Sequence, residues 1–305
     1  MPSYALFRNQ YVPLAEANIN VMTQALHYGT AIFEGIRGNW NSPQKQIYLF
    51  RLEEHYQRLL NGCQVLRIRL PYTVDDLCRQ TVELAQKCIF EEDIYVRPLA
   101  YKSSEALGVR LHDIADDYTA FIIPWGRYLD VDSARCTVSS WQRPADNVCP
   151  PQVKIMGNYA SNALAKSDAV ESGFDEAIML SPDGYVSEGS GENIFLVIDG
   201  KLVTPATYNN ILPGITRNSV IKLAKNELGV ETIERPVDRG ELYTCTECFL
   251  TGTAAHITPV SEIDHRKIGN GGIGGITGKL QKVYAEVIRG DNPKYLDWCT
   301  PVYKK

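Results

Sequence analysis

Four short stretches carry residue types that could do chemistry together. Lys154 stands in Lys154-Ile-Met-Gly-Asn-Tyr159, between a proline-rich loop and a helical pattern, with neutral or apolar neighbours. Glu188 and Glu192 lie in the Ser/Gly-rich turn Ser187-Glu-Gly-Ser-Gly-Glu-Asn193, and Pro213-Gly-Ile-Thr216 and Thr251-Gly-Thr-Ala254 are two Gly/Thr turns. An amine, an acid and two anion cradles are the parts needed to hold an aldehyde cofactor that carries a phosphate. A lysine that condenses with an aldehyde must be neutral part of the time, which burial or a neighbouring cation achieves by lowering its pKa. A carboxylate in the acidic turn can face a ring nitrogen and keep it protonated, making the ring an electron sink. Pro213–Arg217 leads directly into a helical pattern, and the N–H groups and dipole of a helix start favour a phosphate.

Each stretch also has a plainer reading. Lys154 can be a surface lysine, Glu188 and Glu192 solvated turn residues, and Asn193 a tie for that turn. Thr216 can cap its helix, and the Thr251 segment can be an ordinary turn. Three other patterns fail on context. Gly269-Asn-Gly-Gly-Ile-Gly274 has dinucleotide-binding spacing but follows a charged stretch and no buried strand. Gly278-Lys279 lacks the other positions of a phosphate loop. Cys245-Thr-Glu-Cys248 has no second pair, so two thiols on or beside a strand are expected.

These stretches need elements to position them. A mixed apolar segment at 4–12 reads as an edge strand, and 25–37, interrupted by Gly29 and Gly35, as a loop entering a strand. Strands are predicted at 47–50, 94–101 and 118–124, with helices over 53–66 and 74–90, the second capped by Thr73. Past the linker come strands at 136–141 and 177–180, a helix over 159–171, and a hairpin turning at Asp199-Gly200. Helices at 216–228 and 277–288 flank a buried strand at 248–250. The expected fold is α+β: a smaller N-terminal α/β domain over 1–125, a linker at 126–134, and a larger cofactor-binding domain over 135–305. The larger domain is read as a twisted antiparallel sheet or pseudo-barrel with helices.

The chain has 305 residues, 44% apolar and 22% charged, with net charge -5, which argues against a general nucleic-acid or acidic-membrane surface. Its eight cysteines follow no disulfide-framework spacing, and the N-terminus shows no signal-peptide pattern. No apolar run is long enough to span a bilayer. A cytoplasmic protein with reduced thiols, binding neither nucleic acid nor membrane, and with no metal, is the expectation.

The blocks His27–Arg37, Glu54–Leu59, Tyr95-Val-Arg-Pro98, Lys154–Tyr159, Ser187–Phe195, Leu212–Arg217 and Thr251–Pro259 run in an order that resembles the branched-chain aminotransferase family, of the fold-type IV pyridoxal-phosphate enzymes. The resemblance covers nearly the whole chain. It implies transamination between branched-chain L-amino acids (Leu, Ile, Val) and 2-oxoglutarate, with pyridoxal 5'-phosphate as cofactor. Lys154 would carry the cofactor covalently and shuttle the proton. Glu188 would pair with the pyridine nitrogen, and Tyr159 would hydrogen-bond the phenolic oxygen. Arg58, Ile215, Thr216 and Thr253 would hold the phosphate, with Asn193 beside them in the cofactor site. Phe33, Gly35, Arg37, Tyr95 and Tyr128 would line the substrate pocket, with Tyr28 lent by a partner subunit. Amides around Thr253 and Ala254 would take the α-carboxylate, and Arg97 the distal carboxylate of glutamate. Leu107-Gly-Val109 resembles the family's dimer-contact loop. The implied partners are amino acids, 2-oxo acids and a second copy of the chain, in a homodimer or a hexamer built from it.

The rivals sharing that fold are a D-amino-acid aminotransferase and an aminodeoxychorismate lyase. Outside it stand a non-catalytic binding protein and a thiol–disulfide protein using Cys245 and Cys248. His256 stands where many bacterial relatives have an acid. The cysteine pair precedes the Gly-Thr-Ala turn, whereas the redox pair of mammalian relatives follows it, so no redox switch is inferred.

Overall fold

The computed structural model describes Ser3–Gly126 and Val131–Tyr303, in two compact units. One unit holds the chain up to Gly126, Val153–Gly157 and the segment from Glu286 on; the other holds the remainder. The division differs from a single 135–305 domain in two places, and strand pairing is the reason. Ile155 bridges to Ile32, and the C-terminal strand Cys299–Pro301 pairs antiparallel with Gln46–Phe50. Backbone groups without their own partners are satisfied across long sequence separations, which no local pattern announces.

The first unit is built on β1 (Tyr4–Phe7), β2 (Gln10–Pro13), β3 (Ala31–Phe33), β4 (Ile36–Asn41), β5 (Gln46–Phe50), β6 (Ile94–Lys102) and β7 (Asp116–Pro124). Among the described residues these and the C-terminal strand form one antiparallel sheet, ordered C-terminal strand, β5, β4, β6, β7, β1, β2, with β3 also on β6. The expected single edge strand at 4–12 is a hairpin, reversed by Arg8 and Asn9 at φ 50° and 59°. The expected loop before β3 contains a helical turn, α1 (Gln24–Tyr28), closed by Gly29 at φ 64°. Strand β6 pairs with β4 over Ile94–Val96 and with β3 over Leu99–Tyr101. The break between β3 and β4 falls at Glu34-Gly35, where the Glu34 N–H bonds to Pro98 O at 3.0 Å.

Helices α2 (Leu52–Val65) and α3 (Val74–Cys88) pack on each other, α2 against β3 and α3 against β1 and β7. Their buried faces follow the helical period: Tyr56, Leu59 and Cys63 on α2, Leu77, Leu84, Ala85 and Cys88 on α3. Thr73 and Asp76 form a capping box, the Thr73 hydroxyl accepting from Asp76 N at 3.2 Å and Asp76 Oδ2 from Thr73 N at 3.1 Å.

The second unit carries β8 (Ala134–Gln142), β9 (Glu176–Leu180), β10 (Val186–Gly189), β11 (Asn193–Ile198), β12 (Lys201–Thr204), β13 (Thr232–Glu234), β14 (Glu247–Gly252), β15 (His256–Ile263) and β16 (Arg266–Lys267). The order is β10, β9, β8, β15, β14, β11, β12, β13, with β16 on β15. The sheet is mixed: β8 runs parallel to both β9 and β15, and β12 to β13. Helix α4 (Tyr159–Glu171) packs on β8 and β9, and α5 (Ile215–Leu228) on β14 and β13. Each makes a helical crossover between parallel neighbours, which a hairpin cannot do. Cys245 and Cys248 are buried in this unit's hydrophobic core with Cys136 and Leu250, as two thiols beside and on a strand.

The start of α6 (Gly275–Ile288) explains the failed dinucleotide pattern. Glu247 bonds to Ile276 N at 3.0 Å, Thr277 N at 2.8 Å and the Thr277 hydroxyl at 2.7 Å. A Cβ on Gly274 would lie 1.9 Å from Glu247 Cδ. The chain's own carboxylate occupies the place a phosphate would take.

Because the capping box is the ordered start of α3, Thr73→Ala should destabilise the protein by about 1 kcal/mol. Urea denaturation should show a lower midpoint with an unchanged slope.

Candidate active site

The residues expected to do chemistry fall in both units. In the first unit Lys154 is held by its backbone: its carbonyl accepts the Phe33 N–H at 3.2 Å, one residue from the Ile32–Ile155 bridge. Gly157 N donates to Gly29 O at 3.2 Å. A Cβ on Gly29 would sit 2.7 Å from Gly157 Cα, so this approach requires a glycine, as does the positive φ. The Lys154 side chain is partly buried, its Nζ 4.7 Å from the Phe33 ring centroid.

Tyr95 and Arg97 alternate with Val96 on β6 and so share a face. Arg97 Cζ lies 4.9 Å from the Phe33 centroid and 5.2 Å from that of Tyr95, and Arg97 Nη2 donates to the Tyr95 hydroxyl at 3.2 Å. Gly35 makes room for that hydroxyl, since a Cβ there would lie 1.9 Å from it. Phe33, Gly35, Tyr95, Arg97 and Lys154 are therefore gathered on β3, the break after it, β6 and the Lys154 segment. Arg37 is buried on β4, opposite Tyr95, and pairs with Asp93 at 3.4 Å. Burial works against Asp93's charge, but the Trp40 N–H, Arg289 and Arg37 prevail and hold its carboxyl below the usual range.

Arg58 projects from α2 onto Glu34, which is fully buried. Its Nε donates to Oε1 at 2.7 Å and its Nη2 to Oε2 at 2.8 Å. His55, three residues earlier on the same helix face, places Nδ1 2.8 Å from Oε2. Burial alone would raise Glu34's carboxyl; the Arg58 charge and the hydrogen bonds from Arg58 and His55 overcome it and hold it well below the carboxylate range. Burial pushes His55 down, only partly offset by its hydrogen bond to Glu34, and against a carboxylate oxygen Nδ1 is the donor. Tyr28 is partly exposed, and its hydroxyl accepts the Gly108 N–H at 3.1 Å.

In the second unit Glu188 is buried on β10. Arg143, itself buried, pairs with Oε1 at 3.0 Å, while Asn193 Nδ2 and Leu212 N donate to Oε2 at 2.9 and 3.0 Å. Arg143 also donates to Asn162 Oδ1 at 2.8 Å. Asn193 Nδ2 is shared with Leu212 O at 2.8 Å, so Asn193 ties the carboxylate to the turn that opens α5. That turn reaches Gly214, the N-cap, where a Cβ would lie 2.0 Å from Asn193 Oδ1. Thr216 is one residue inside the helix, buried, and 3.5 Å from the Tyr284 hydroxyl; it is not the cap. Ile215 opens α5 and Tyr159 opens α4, both partly buried. Thr253 and Ala254 lie in the three-residue turn joining β14 to β15.

Glu192 differs from Glu188. It is buried near Glu176, whose own partner is Lys166 at 2.7 Å. Burial first, then the Glu176 charge, pushes its carboxyl up to about 8. A neutral acid cannot stabilise a pyridinium, so of the two turn glutamates Glu188 is the one suited to that task. Tyr128 lies outside the described residues. Glu34, His55, Asp93, Arg143 and Asn162 escaped the sequence reading. The available signal was the Glu34 carboxylate inside an otherwise apolar Ala31–Ile36 segment, which demands a buried cation.

The amino-transferase class IV family model matches residues 31–263. A probable branched-chain-amino-acid aminotransferase of Aquifex aeolicus (strain VF5) is 50% identical over 99% of this chain and 97% of its own length. Two solved structures superpose end to end. A branched-chain aminotransferase from Thermoproteus uzoniensis with norvaline matches at TM-score 0.95 and 39% identity, covering 99% of this chain and 100% of that one. The T.th. branched-chain amino acid aminotransferase complexed with N-(5'-phosphopyridoxyl)-L-glutamate matches at TM-score 0.94 and 41% identity, covering 99% of each chain.

Glu192 makes stability depend on pH in a definite direction. Its folded pKa is raised from 4.5 to about 8, so its contribution is full below about 4.5 and is lost as pH rises to about 8. Glu192→Gln cannot ionise. Urea unfolding should show the variant gaining on the parent across that window, by at least about 1 kcal/mol at alkaline pH, with no gain in acid.

Proposed function

The chain belongs to the amino-transferase class IV family, and from that premise we propose that it catalyses reversible transamination between branched-chain L-amino acids (Leu, Ile, Val) and 2-oxoglutarate, giving the 2-oxo acid and L-glutamate. Enzymes of this class use pyridoxal 5'-phosphate. The donor set fits such a cofactor: a primary amine at Lys154, a salt-bridged carboxylate at Glu188, a guanidinium at Arg58, and a helix start at Gly214 with no side-chain cap bond. When bound, the cofactor supplies a conjugated ring that accepts the electron pair released at the substrate's Cα.

The residues of this chain supply the rest. Lys154 would hold the cofactor through its aldehyde carbon, and its freed Nζ would carry the proton from the substrate's Cα to that same carbon. Glu188, fixed by Arg143, Asn193 and Leu212 N, holds the proton on the pyridine nitrogen. Tyr159 donates to the phenolic oxygen. Arg58, the Ile215 and Thr216 amides and Thr253 bind phosphate oxygens. Asn193 acts on the cofactor through Glu188 rather than by contact, since its amide is committed to Glu188 and Leu212. Amides of Thr253 and Ala254 orient the α-carboxylate, and Phe33, Gly35, Arg37 and Tyr95 receive the side chain.

The observation that carries the substrate assignment is Arg97 lying over two aromatic rings, Phe33 and Tyr95. An apolar wall binds leucine by burial, at about 25 cal/mol per Å². A cation set in that wall can also pair with the distal carboxylate of glutamate. The known complexes of similar enzymes with norvaline and with a phosphopyridoxyl-glutamate adduct agree with both halves.

A second copy of the chain is part of this reading. Leu107 and Val109 are 63% and 91% exposed, and Tyr28 is tied by its hydroxyl to Gly108 between them. Such apolar exposure is suited to a homodimer, or a hexamer built from it, in which Tyr28 reaches the partner's substrate. All eight cysteines are free, in keeping with a reducing cytoplasmic setting. No helix among the described residues is long and apolar enough to cross a membrane.

Lys154→Ala should lower leucine–2-oxoglutarate turnover by about a thousandfold or more. Borohydride should fix a phosphopyridoxyl group on the Lys154 peptide of the parent, read by mass spectrometry. Normal turnover of the variant, or D-alanine outpacing L-leucine as donor, would sink the assignment. Arg97→Leu should raise KM for glutamate about tenfold or more while changing that for leucine far less; steady-state kinetics with the two donors decides it.

A further inference from the structure

Glu34 lies in the break between β3 and β4, with none of its surface exposed. Both its oxygens face α2. One takes Arg58 Nε at 2.7 Å; the other takes Arg58 Nη2 at 2.8 Å and His55 Nδ1 at 2.8 Å. The guanidinium is planar, so a two-pronged bond through Nε and Nη2 fixes its plane and turns the Nη1 edge away from Glu34. His55 Nε2 is buried without a hydrogen-bond partner, so the ring serves Glu34 through Nδ1 alone. The Glu34 backbone is anchored as well, its N–H on Pro98 O at 3.0 Å.

We infer that Glu34 and His55 are positioning residues for cofactor binding: together they lock the Arg58 guanidinium in the orientation that receives the phosphate. This rests on the assignment of Arg58 to the phosphate given above. The arrangement has a cost. A buried carboxylate beside the phosphate ligand offsets part of the cation's charge and repels the anion. What it gains is rigidity, because a long arginine side chain otherwise surrenders rotamer freedom when it binds. The two effects have opposite signs in experiment. If Glu34 matters as an orienting group, removing its charge weakens phosphate binding. If it were only a neutralising charge, removing it would tighten phosphate binding.

The test compares affinities of the full-length protein for pyridoxal 5'-phosphate and for pyridoxal, which lacks the phosphate, by absorbance titration after cofactor removal. The ratio of the two isolates the phosphate's contribution. Glu34→Gln should lower the ratio about tenfold, leaving pyridoxal affinity nearly unchanged. His55→Asn keeps a donor near Nδ1 and should hold the ratio close to that of the parent, whereas His55→Leu should lower it. Arg58→Ala is the control for the underlying assignment. If it leaves the ratio unchanged, Arg58 does not bind the phosphate. If it lowers the ratio while Glu34→Gln leaves it at the parent value or raises it, the assignment of Arg58 stands and the positioning role is overturned. Should Glu34→Gln fail to fold, His55→Leu read against His55→Asn decides: equal ratios overturn the proposal.

Discussion

A carboxylate taken out of water must meet a cation or take up a proton, and this constraint organises the chemistry-bearing parts of both units. Of the four buried glutamates among the described residues, three show the range of answers. Glu34 meets Arg58 in a fork and stays charged. Glu188 meets Arg143 and is tied further by Asn193 and Leu212 N. Glu192 meets no cation of its own, lies within the field of Glu176, and is pushed up to about 8. Breaking one member of a buried pair leaves an uncompensated charge, at about 3–5 kcal/mol. The charged pairs therefore fix geometry as much as they add stability. Arg58 in the first unit and Glu188 in the second, both assigned to the cofactor in the proposed reading, are each held by such a pair.

The second constraint is steric, and it works through missing Cβ atoms. Gly29 lets the Lys154 segment approach β3, Gly35 lets the Tyr95 hydroxyl lie over the backbone, and Gly214 leaves room for the Asn193 amide at the head of α5. At each place a side chain that matters occupies the volume a larger residue would take. The two long helices with glycine-rich starts in the second unit make the contrast clear. At α6 the Glu247 carboxylate takes the N–H groups. At α5 the N-cap is Gly214, and the Glu188 carboxylate bonds to Leu212, two residues before the cap. Similar sequence patterns thus serve a structural role in one helix and suit an anion in the other.

These differences show what was legible in the sequence. The helical periods of α2 and α3, the Thr73 cap and the Asp199-Gly200 hairpin are local signals, and the structure follows them. The mixed second sheet and the return of Cys299–Pro301 to β5 depend on pairings between distant segments, which local periodicity does not encode. The same divide runs through the candidate site. Lys154, Glu188 and the Pro213–Thr216 turn stand out by type and neighbours. Arg143 does not, because nothing near it in sequence shows that its guanidinium meets Glu188. Nor does Glu34, which reads as part of a strand until its burial is known. Residues that hold other residues are recognised by what surrounds them in space, and a sequence lists only what surrounds them in the chain.

The substrate problem is answered, on the proposed reading, by the same economy. A site that alternates between leucine and glutamate must accept an apolar side chain without stranding a bare cation, and a carboxylate without giving up its apolar wall. Arg97 meets both demands because its charge is spread over a plane that lies against Phe33 and Tyr95. Contact with the rings offsets part of its desolvation, and its Nη2 is already bonded to the Tyr95 hydroxyl. When the ligand is apolar, the guanidinium keeps the two rings and the Tyr95 hydroxyl as partners, while its buried Nε stays without one. When the ligand is acidic, the plane still offers edges for a carboxylate. A lysine at the same position would concentrate its charge at one strongly hydrated point and lose more with leucine bound. The choice of arginine over lysine, and its aromatic bed, is therefore the feature that lets one wall serve two chemically opposite side chains.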